Sequence, residues 1–153
     1  MDTWDNGAIA CFRLSPQDYH RYHSPVSGTI CWYKQLGGEY YGVDPLATMS
    51  TVDVLAKNDR VCIEITSPDF GHVMFIAIAA EDVGKIKINE KFKEVGQSVK
   101  KGEEIGLFEF GGSSIIVLFE NGRIKWDEDL QSWSQKQIMV DVEVGMRIGR
   151  TSK

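Results

Sequence analysis

The sequence has 153 residues, of which 42% are hydrophobic and 25% charged, so we expect one soluble globular domain over residues 1–153. Its net charge of −5 argues against a nucleic-acid-binding protein, which needs a basic face. The longest apolar run, near residues 73–80, is far shorter than the roughly 20 residues of a membrane helix, and the acidic first residues lack the apolar core of a secretory signal.

The first predicted element is a short helix that begins after Ser15. Ser15 is a favoured N-cap, Pro16 suits the first helical position, and Asp18 lies at the positive end of the helix dipole. The helix cannot continue past Ser24, because Pro25 disfavours helical geometry both at its own position and at the residue before it.

Three strands are predicted in the middle of the chain. Residues 60–66 alternate between apolar and polar and indicate a half-buried strand, and residues 72–79 indicate a more deeply buried one. The sequence Ser-Pro-Asp-Phe-Gly at 67–71 is typical of a turn, so the two strands should form a hairpin. Alternation over residues 83–88 predicts a third strand.

A glycine-punctuated segment follows at residues 94–107. It resembles the hairpin of lipoyl and biotinyl carrier domains. The lysine that those domains modify at the tip of their motif is missing. The segment therefore predicts a type of fold and not the carrier function.

The last third of the chain should begin with a core strand at residues 115–119. An Asn-Gly dipeptide then favours a tight turn into a return strand over residues 123–126. A helical turn at 128–135 and a final strand at 144–149 are also predicted. Together these elements predict a mainly β fold, an antiparallel barrel or sandwich of the barrel-sandwich hybrid kind, with one or two short helices.

The three cysteines, Cys11, Cys31 and Cys62, are odd in number and widely spaced. They match neither a zinc motif nor a disulfide framework, so we expect buried free thiols in a reducing compartment. His72 lies at the start of a buried strand, where a structural role is expected.

Residues 110–117 read Phe-Gly-Gly-Ser-Ser-Ile-Ile-Val and indicate a serine that could react with its own backbone. A serine hydroxyl that follows a glycine can attack the preceding carbonyl and convert the peptide bond into an ester. Loss of the serine α-proton then breaks the chain and leaves a pyruvoyl group. The reaction needs a permissive backbone, a base and oxyanion donors, and Gly112 before Ser113 meets the first need. A flexible turn is the alternative interpretation, although the segment lies between two apolar strands.

The base could come from His20 or His23, which lie three residues apart beside Tyr19, Arg21 and Tyr22. On the predicted helix they would share a face, where one could act as base and the other as acid. The same spacing could hold a metal, but the sequence offers no third ligand nearby, so no metal site is predicted. A polar capping cluster remains the alternative.

These motifs resemble those of the pyruvoyl-dependent phosphatidylserine decarboxylases. Residues 13–28 contain Tyr-His-Arg-Tyr-His and are similar to the histidine motif of that family. Residues 70–78 resemble its central core strand, and residues 99–114 resemble its cleavage region. The resemblance keeps the family's order over residues 12–149 and is closest to the fungal and plant branch.

The resemblance implies a cofactor made from the chain itself. Cleavage between Gly112 and Ser113 would turn Ser113 into the pyruvoyl group. The larger β part would then cover residues 1–112 and the α part residues 113–153, and the two fragments would stay together. The pyruvoyl carbonyl would accept the amine of the substrate and act as an electron sink while carbon dioxide leaves.

The resemblance also implies roles for the histidines and a substrate. His23 matches the histidine of the family's self-cleavage triad, and His20 matches the histidine that handles the proton in decarboxylation. The substrate would be phosphatidylserine and the product phosphatidylethanolamine. A peripheral association with a membrane, in the family an organelle membrane, would follow.

The sequence departs from the family pattern in two respects. The usual Gly-Ser-Thr is Gly-Ser-Ser, which keeps the hydroxyl group. The family triad also contains an aspartate, which lies upstream of the histidine motif in a segment without a counterpart here. Asp2 and Asp5 match no motif, so no aspartate is assigned. Two alternatives stay open: a decarboxylase of a soluble amino acid, and an unprocessed, non-catalytic relative that serves as a binding domain.

Overall fold

The computed structural model describes residues 3–81, 85–109 and 113–152, and it describes only the backbone of Ser113. The strands in chain order are β1 (Ala8–Leu14), β2 (Arg21–His23), β3 (Gly28–Leu36), β4 (Arg60–Ser67), β5 (Gly71–Ile78), β6 (Lys85–Ile88), β7 (Ser98–Val99), β8 (Glu104–Glu109), β9 (Ser113–Phe119), β10 (Ile124–Trp126) and β11 (Gly149–Thr151). The helices are α1 (Pro45–Thr48), α2 (Val54–Lys57) and α3 (Glu128–Gln135), and Glu90–Lys93 form a 3₁₀ turn.

The strands form three antiparallel sheets. The largest has six strands in the order β1-β9-β5-β4-β3-β7, a second has the order β2-β8-β6, and β10 pairs with β11. Across the described part of the chain these sheets are not closed into a barrel, and the arrangement is sandwich-like. The predicted mainly antiparallel β fold is therefore confirmed.

An apolar core joins the six-stranded sheet to the three-stranded sheet. Ile63 and Ile65, at alternate positions of β4, are fully buried. Tyr22 of β2 packs against Phe75 of β5, with ring centroids 5.5 Å apart, and against Phe108 of β8, at 4.9 Å. Because each large apolar side chain contributes roughly 1.5–3 kcal/mol when buried, these contacts fix β2 and β8 against the large sheet.

Several predicted elements are confirmed. β4 and β5 form the expected hairpin, paired from Arg60 opposite Ile78 to Ser67 opposite Gly71. The predicted core strand is β9, which pairs with β1 on one side and β5 on the other. The predicted strand at 83–88 is described from Lys85 onward as β6, and its first two residues lie outside the described residues.

The helix predicted after Ser15 is wrong. The Asp18 backbone N–H donates to the Ser15 carbonyl at 2.9 Å, and the Ser15 N–H donates to the Asp18 carboxylate at 2.7 Å. These two bonds close a turn, and the chain then enters β2. The physical reason is burial: a strand lets Tyr22, which is 2% exposed, reach the core between β5 and β8.

Residues 94–107 do not form a local hairpin, although they resemble the hairpin of carrier domains in sequence. The two strands of this segment join different sheets, because β7 pairs with β3 whereas β8 pairs with β2 and β6. Gly102, between them, has a φ of +80°, a left-handed conformation that favours glycine. The glycines therefore mark a crossover between sheets and not a local hairpin.

The C-terminal strands differ from the prediction in their pairing and limits. β10 follows the predicted turn but pairs with β11 and not with β9. The final strand, β11, covers Gly149–Thr151. It begins at the residue where the predicted strand at 144–149 was expected to end. The predicted helical turn at 128–135 is confirmed as α3.

Two features differ from the predictions, the number of elements and the exposure of one cysteine. β1, β3, α1 and α2 were not expected from the sequence, so the described residues contain three α-helices where one or two were predicted. Cys62 is buried and Cys31 partly buried, but Cys11 is exposed on the edge strand β1, so the expectation of a buried thiol is wrong there. Among the described helices, none has the length and apolar character needed to cross a membrane.

Candidate functional site

The predicted processing residue begins a central strand. The backbone of Ser113 lies opposite Leu14 of β1, and Ser114 lies opposite Ile78 of β5. Ser114 is 5% exposed. Gly112 and the side chain of Ser113 lie outside the described residues. Pairing on both sides of β9 therefore fixes the backbone immediately after the predicted cleavage point.

His20 lies at the end of β8 that leads toward Ser113. The Phe108 N–H donates to the His20 carbonyl at 3.0 Å, and the two rings meet edge to face with centroids 6.4 Å apart. His20 Nδ1 lies 2.6 Å from the carbonyl oxygen of Asp18. Because a carbonyl oxygen can only accept a hydrogen bond, Nδ1 carries the proton and Nε2 is the nitrogen able to take one up.

His23 has both ring nitrogens in hydrogen bonds. Nδ1 donates to the carbonyl oxygen of Gly102 at 2.9 Å, which sets the Nδ1–H tautomer. Nε2 then accepts from the Tyr19 hydroxyl at 2.8 Å. The Tyr19 and His23 rings also stack, with centroids 5.8 Å apart and an interplanar angle of 14°. The Gly102 carbonyl and Tyr19 thus orient the His23 ring, and the Tyr19 hydroxyl occupies the lone pair of Nε2.

The two histidines do not share a helical face, contrary to the prediction. His20 immediately precedes β2, and His23 is its last residue. β2 runs antiparallel to β8, with Arg21 opposite Leu107 and His23 opposite Glu104. At about 3.3 Å per residue, three residues of β8 separate these two positions by about 10 Å. The structure therefore brings both histidines to β8, with His20 at the end nearer the cleavage region and His23 at the far end.

Tyr22 holds the histidine strand in place. Its hydroxyl donates to the carbonyl oxygens of Lys87, at 2.7 Å, and Leu107, at 3.1 Å, and burial raises the pKa of this phenol well above its usual value. A Cβ atom at Gly106, the residue opposite Tyr22, would overlap the Lys87 carbonyl oxygen. Close packing of β2, β8 and β6 thus depends on a glycine at this point.

A surface ion pair supports the same strand pairing. Arg21 Nη1 lies 2.9 Å from both carboxylate oxygens of Glu104. The hydrogen bond to Glu104 raises the pKa of Arg21, which stays charged. Because both side chains are partly exposed, the pair contributes to register more than to stability.

Two members of the site were not identified from the sequence. Tyr19 was noted beside the histidines, and its spacing of four residues from His23 was the available signal. The Gly102 carbonyl is a backbone group 79 residues away from His23 in sequence, and no sequence pattern reports such a contact.

Comparisons with known proteins identify relatives of the chain. The model of the phosphatidylserine decarboxylase family matches residues 1–150. The chain is similar to the phosphatidylserine decarboxylase proenzyme 2 of Komagataella phaffii, with 45% identity over 150 residues covering 98% of this chain and 15% of that protein. It is likewise 46% identical to proenzyme 2 of Saccharomyces cerevisiae over 148 residues, which cover 97% and 13% of the two proteins.

A plant relative shows the same relationship. Proenzyme 2 of Oryza sativa subsp. japonica is 44% identical over 153 residues, covering 99% of this chain and 24% of that protein. The chain therefore spans a quarter or less of the length of these three relatives. The chain belongs to the phosphatidylserine decarboxylase family.

Proposed function

We propose that this member of the phosphatidylserine decarboxylase family is a self-processing decarboxylase domain, covering residues 1–153, that converts phosphatidylserine into phosphatidylethanolamine and carbon dioxide. The proposal is supported by the family match over residues 1–150. The observation that carries it is the position of Ser113 at the start of the central strand β9, with His20 and His23 beside β8, the strand before β9 in the chain.

The proposed self-processing begins with the Ser113 hydroxyl. Its oxygen attacks the Gly112 carbonyl carbon and its proton passes to the base. The C–N bond to Ser113 then breaks, the base returns the proton to the Ser113 nitrogen, and an ester with a free amine results. Loss of the Ser113 α-proton then expels the Gly112 carboxylate and leaves a dehydroalanine. Water hydrolyses this residue to a pyruvoyl group and releases ammonia. The products are residues 1–112 with a carboxylate end and residues 113–153 with a pyruvoyl end.

His23 is proposed as the base. Donation from Nδ1 to the Gly102 carbonyl supports this role, because it keeps the lone pair on Nε2. The carbonyl performs the orienting part of the task that a carboxylate performs in other triads, without supplying its negative charge. Tyr19 would have to release Nε2 before this nitrogen could accept the serine proton.

The fold suits a chain end at Ser113. The backbone of β9 is paired with β1 through Leu14 and with β5 through Ile78, so residues 113–153 would stay bound to the rest of the domain after cleavage. Burial of Val117 and Phe119 in the shared core supports the same expectation. The two proposed fragments would therefore behave as one folded unit.

In decarboxylation, a pyruvoyl group at residue 113 would supply the electron sink that stabilises the carbanion left when carbon dioxide departs. His20 is proposed to move the proton. Its Nδ1–H is committed to the Asp18 carbonyl, so Nε2 would be the atom that takes up a proton and returns it to the substrate carbon.

The substrate would be met at a membrane surface by peripheral contact. Phosphatidylserine resides in bilayers, and the exposed apolar side chains of Leu46 and Met49, each 84% exposed, offer apolar contacts of the required kind. This membrane contact is part of the proposal, and the assay with phosphatidylserine vesicles tests it together with the substrate.

The decisive experiment is intact mass spectrometry of the purified chain, followed by a substrate assay. We expect fragments 1–112 and 113–153 in place of one 17.2 kDa species, with the smaller fragment blocked by a pyruvoyl group. Processed protein should then release carbon dioxide from phosphatidylserine vesicles and not from tryptophan. A single intact mass would contradict self-processing by this chain, and release from tryptophan alone would contradict the lipid substrate.

A further inference from the structure

A second cluster of reactive side chains lies on the outer face of the large sheet. Cys31 of β3, Glu64 of β4 and His72 of β5 bring a sulfur, a carboxylate oxygen and an imidazole nitrogen within 4.8 Å of one another. All three residues are partly buried. The cluster shares no residue with the proposed processing and decarboxylation site.

Strand register creates this cluster. His72 lies opposite Thr66, two residues from Glu64, so the Glu64 and His72 side chains project from the same face as diagonal neighbours. In the β3–β4 pairing, Ile30 lies opposite Ile65 and the next paired residue is Trp32, opposite Glu64. Cys31 is therefore the extra residue of a β-bulge, and a bulge re-aims the side chain that it carries.

Hydrogen bonds hold each of the three residues beside another member of the cluster. His72 Nδ1 and Glu64 Oε1 are 2.6 Å apart, and the Cys31 thiol lies 3.5 Å from the Glu64 carbonyl oxygen. The histidine–glutamate pair alone offers only two ligand atoms. The Cys31 thiol, delivered by a bulge from a third strand, adds a third within 4.8 Å of the other two, and the three together match a metal ligand set.

We propose that Cys31, Glu64 and His72 bind one zinc-class divalent ion. Thiolate, imidazole and carboxylate are the protein ligands that Zn²⁺ prefers, and three of them leave a fourth tetrahedral position for water. The cysteine would give its thiol proton to solvent on binding. His72 would coordinate through Nδ1 and carry its proton on Nε2.

The geometry requires only side-chain adjustment. Zinc–ligand bonds of about 2.0–2.3 Å separate tetrahedral ligands by roughly 3.2–3.8 Å, so the His72–Glu64 contact must open by somewhat less than 1 Å. The side chains of His72 and Glu64 are 42% and 21% exposed, so an ion can reach them from solvent. The paired strands beneath keep the three Cα positions fixed.

The test is a Co²⁺ titration of the purified, reduced 153-residue chain, because Co²⁺ occupies zinc sites and reports thiolate ligation by its near-ultraviolet charge-transfer band. We expect one Co²⁺ per chain, a thiolate band, and loss of that band on addition of Zn²⁺ or EDTA. Cys31→Ser should abolish the band, and Cys11→Ser, a matched change of an exposed thiol, should keep it. His72→Gln should weaken binding at least tenfold, because it removes a directly coordinating nitrogen.

Glu64→Gln provides a second variant, since the amide preserves the shape of the side chain and its hydrogen-bonding reach but is a poor ligand. Thermal unfolding in EDTA identifies any variant that fails to fold, and Zn²⁺ should raise the Tm of the wild type more than that of Glu64→Gln. Absence of Co²⁺ binding, a band that survives in Cys31→Ser, or equal affinity in Glu64→Gln overturns the proposal.

Discussion

Tyr19 donates its hydroxyl hydrogen to Nε2 of His23 across 2.8 Å, while the two rings stack at 5.8 Å between centroids. The nitrogen that is proposed to accept a proton during processing is thus already hydrogen-bonded to a phenol. Tyr19 is 49% exposed, so it can turn away from His23 without opening the core.

Tyr19→Phe should therefore accelerate self-cleavage. Phenylalanine keeps the stacked ring and removes the hydroxyl that competes for Nε2. A neutral hydrogen bond contributes about 1 kcal/mol, which corresponds to a rate increase of up to about fivefold. The rate can be followed on gels after cell-free synthesis of the chain.

The matched control is Tyr40→Phe, at another exposed tyrosine that lies outside the histidine strand. It should leave the cleavage rate unchanged. Slower or abolished cleavage in Tyr19→Phe would mean that the hydroxyl takes part in the proton transfer and does not merely cap the base.

Ser113→Ala should leave one intact chain without a carbonyl cofactor, because it removes the attacking oxygen. Ser114→Ala is the matched control one residue later, and it should still be cleaved at the same bond. Intact mass and reaction with a carbonyl reagent distinguish the two variants. Splitting of Ser113→Ala between residues 112 and 113, or loss of splitting in Ser114→Ala alone, would assign the nucleophile to another residue.

His23→Ala and His20→Ala should separate processing from decarboxylation. Removal of the proposed base at His23 should slow cleavage by at least about 100-fold, the lower end of what a general base contributes. His20→Ala should retain cleavage and lose most carbon dioxide release from phosphatidylserine. Equal loss of cleavage in both variants would contradict the proposed division of roles.

Tyr22→Phe should destabilise the domain by about 1–2 kcal/mol, because it leaves the Lys87 and Leu107 carbonyls without their phenol donor. The effect should depend on pH. Burial raises the pKa of folded Tyr22 above the ordinary value of 10.0, so its stabilising effect is complete below pH 10 and is lost as the pH rises further.

The pH dependence can be measured by urea unfolding between pH 8 and about pH 11, which brackets the ordinary tyrosine pKa. The wild type should lose stability more steeply above pH 10 than Tyr22→Phe does. Parallel profiles would show that Tyr22 titrates alike in the folded and unfolded chain.

Gly106→Ala should destabilise the domain by about 1–3 kcal/mol, the usual range for overpacking. The new Cβ would overlap the Lys87 carbonyl oxygen and approach the Tyr22 ring, and a backbone carbonyl within a paired strand cannot move aside cheaply. Urea unfolding measures the change. Gly42→Ala is the control, since its Cβ would meet only the flexible side chains of Asp44 and Glu81.

Local periodicity was a sound guide where neighbouring strands are also neighbours in sequence. The β4–β5 hairpin and the extent of α3 follow from alternation, turn residues and short-range bonds. The same reasoning was wrong for the segment after Ser15, where helix-start residues instead closed a turn. It also missed the edge strand β1, which alternates only between partly exposed and exposed positions.

By itself, the sequence determined the mainly β character, the Gly-Ser pair at 112–113, and the two histidines that carry the family resemblance. Tertiary structure alone decided which groups those histidines meet and where the sheets exchange strands. His23 reaches the Gly102 carbonyl, and Cys31 reaches Glu64 and His72, through pairings between distant strands. Such contacts follow from register and burial across the whole chain, and local sequence patterns do not encode them.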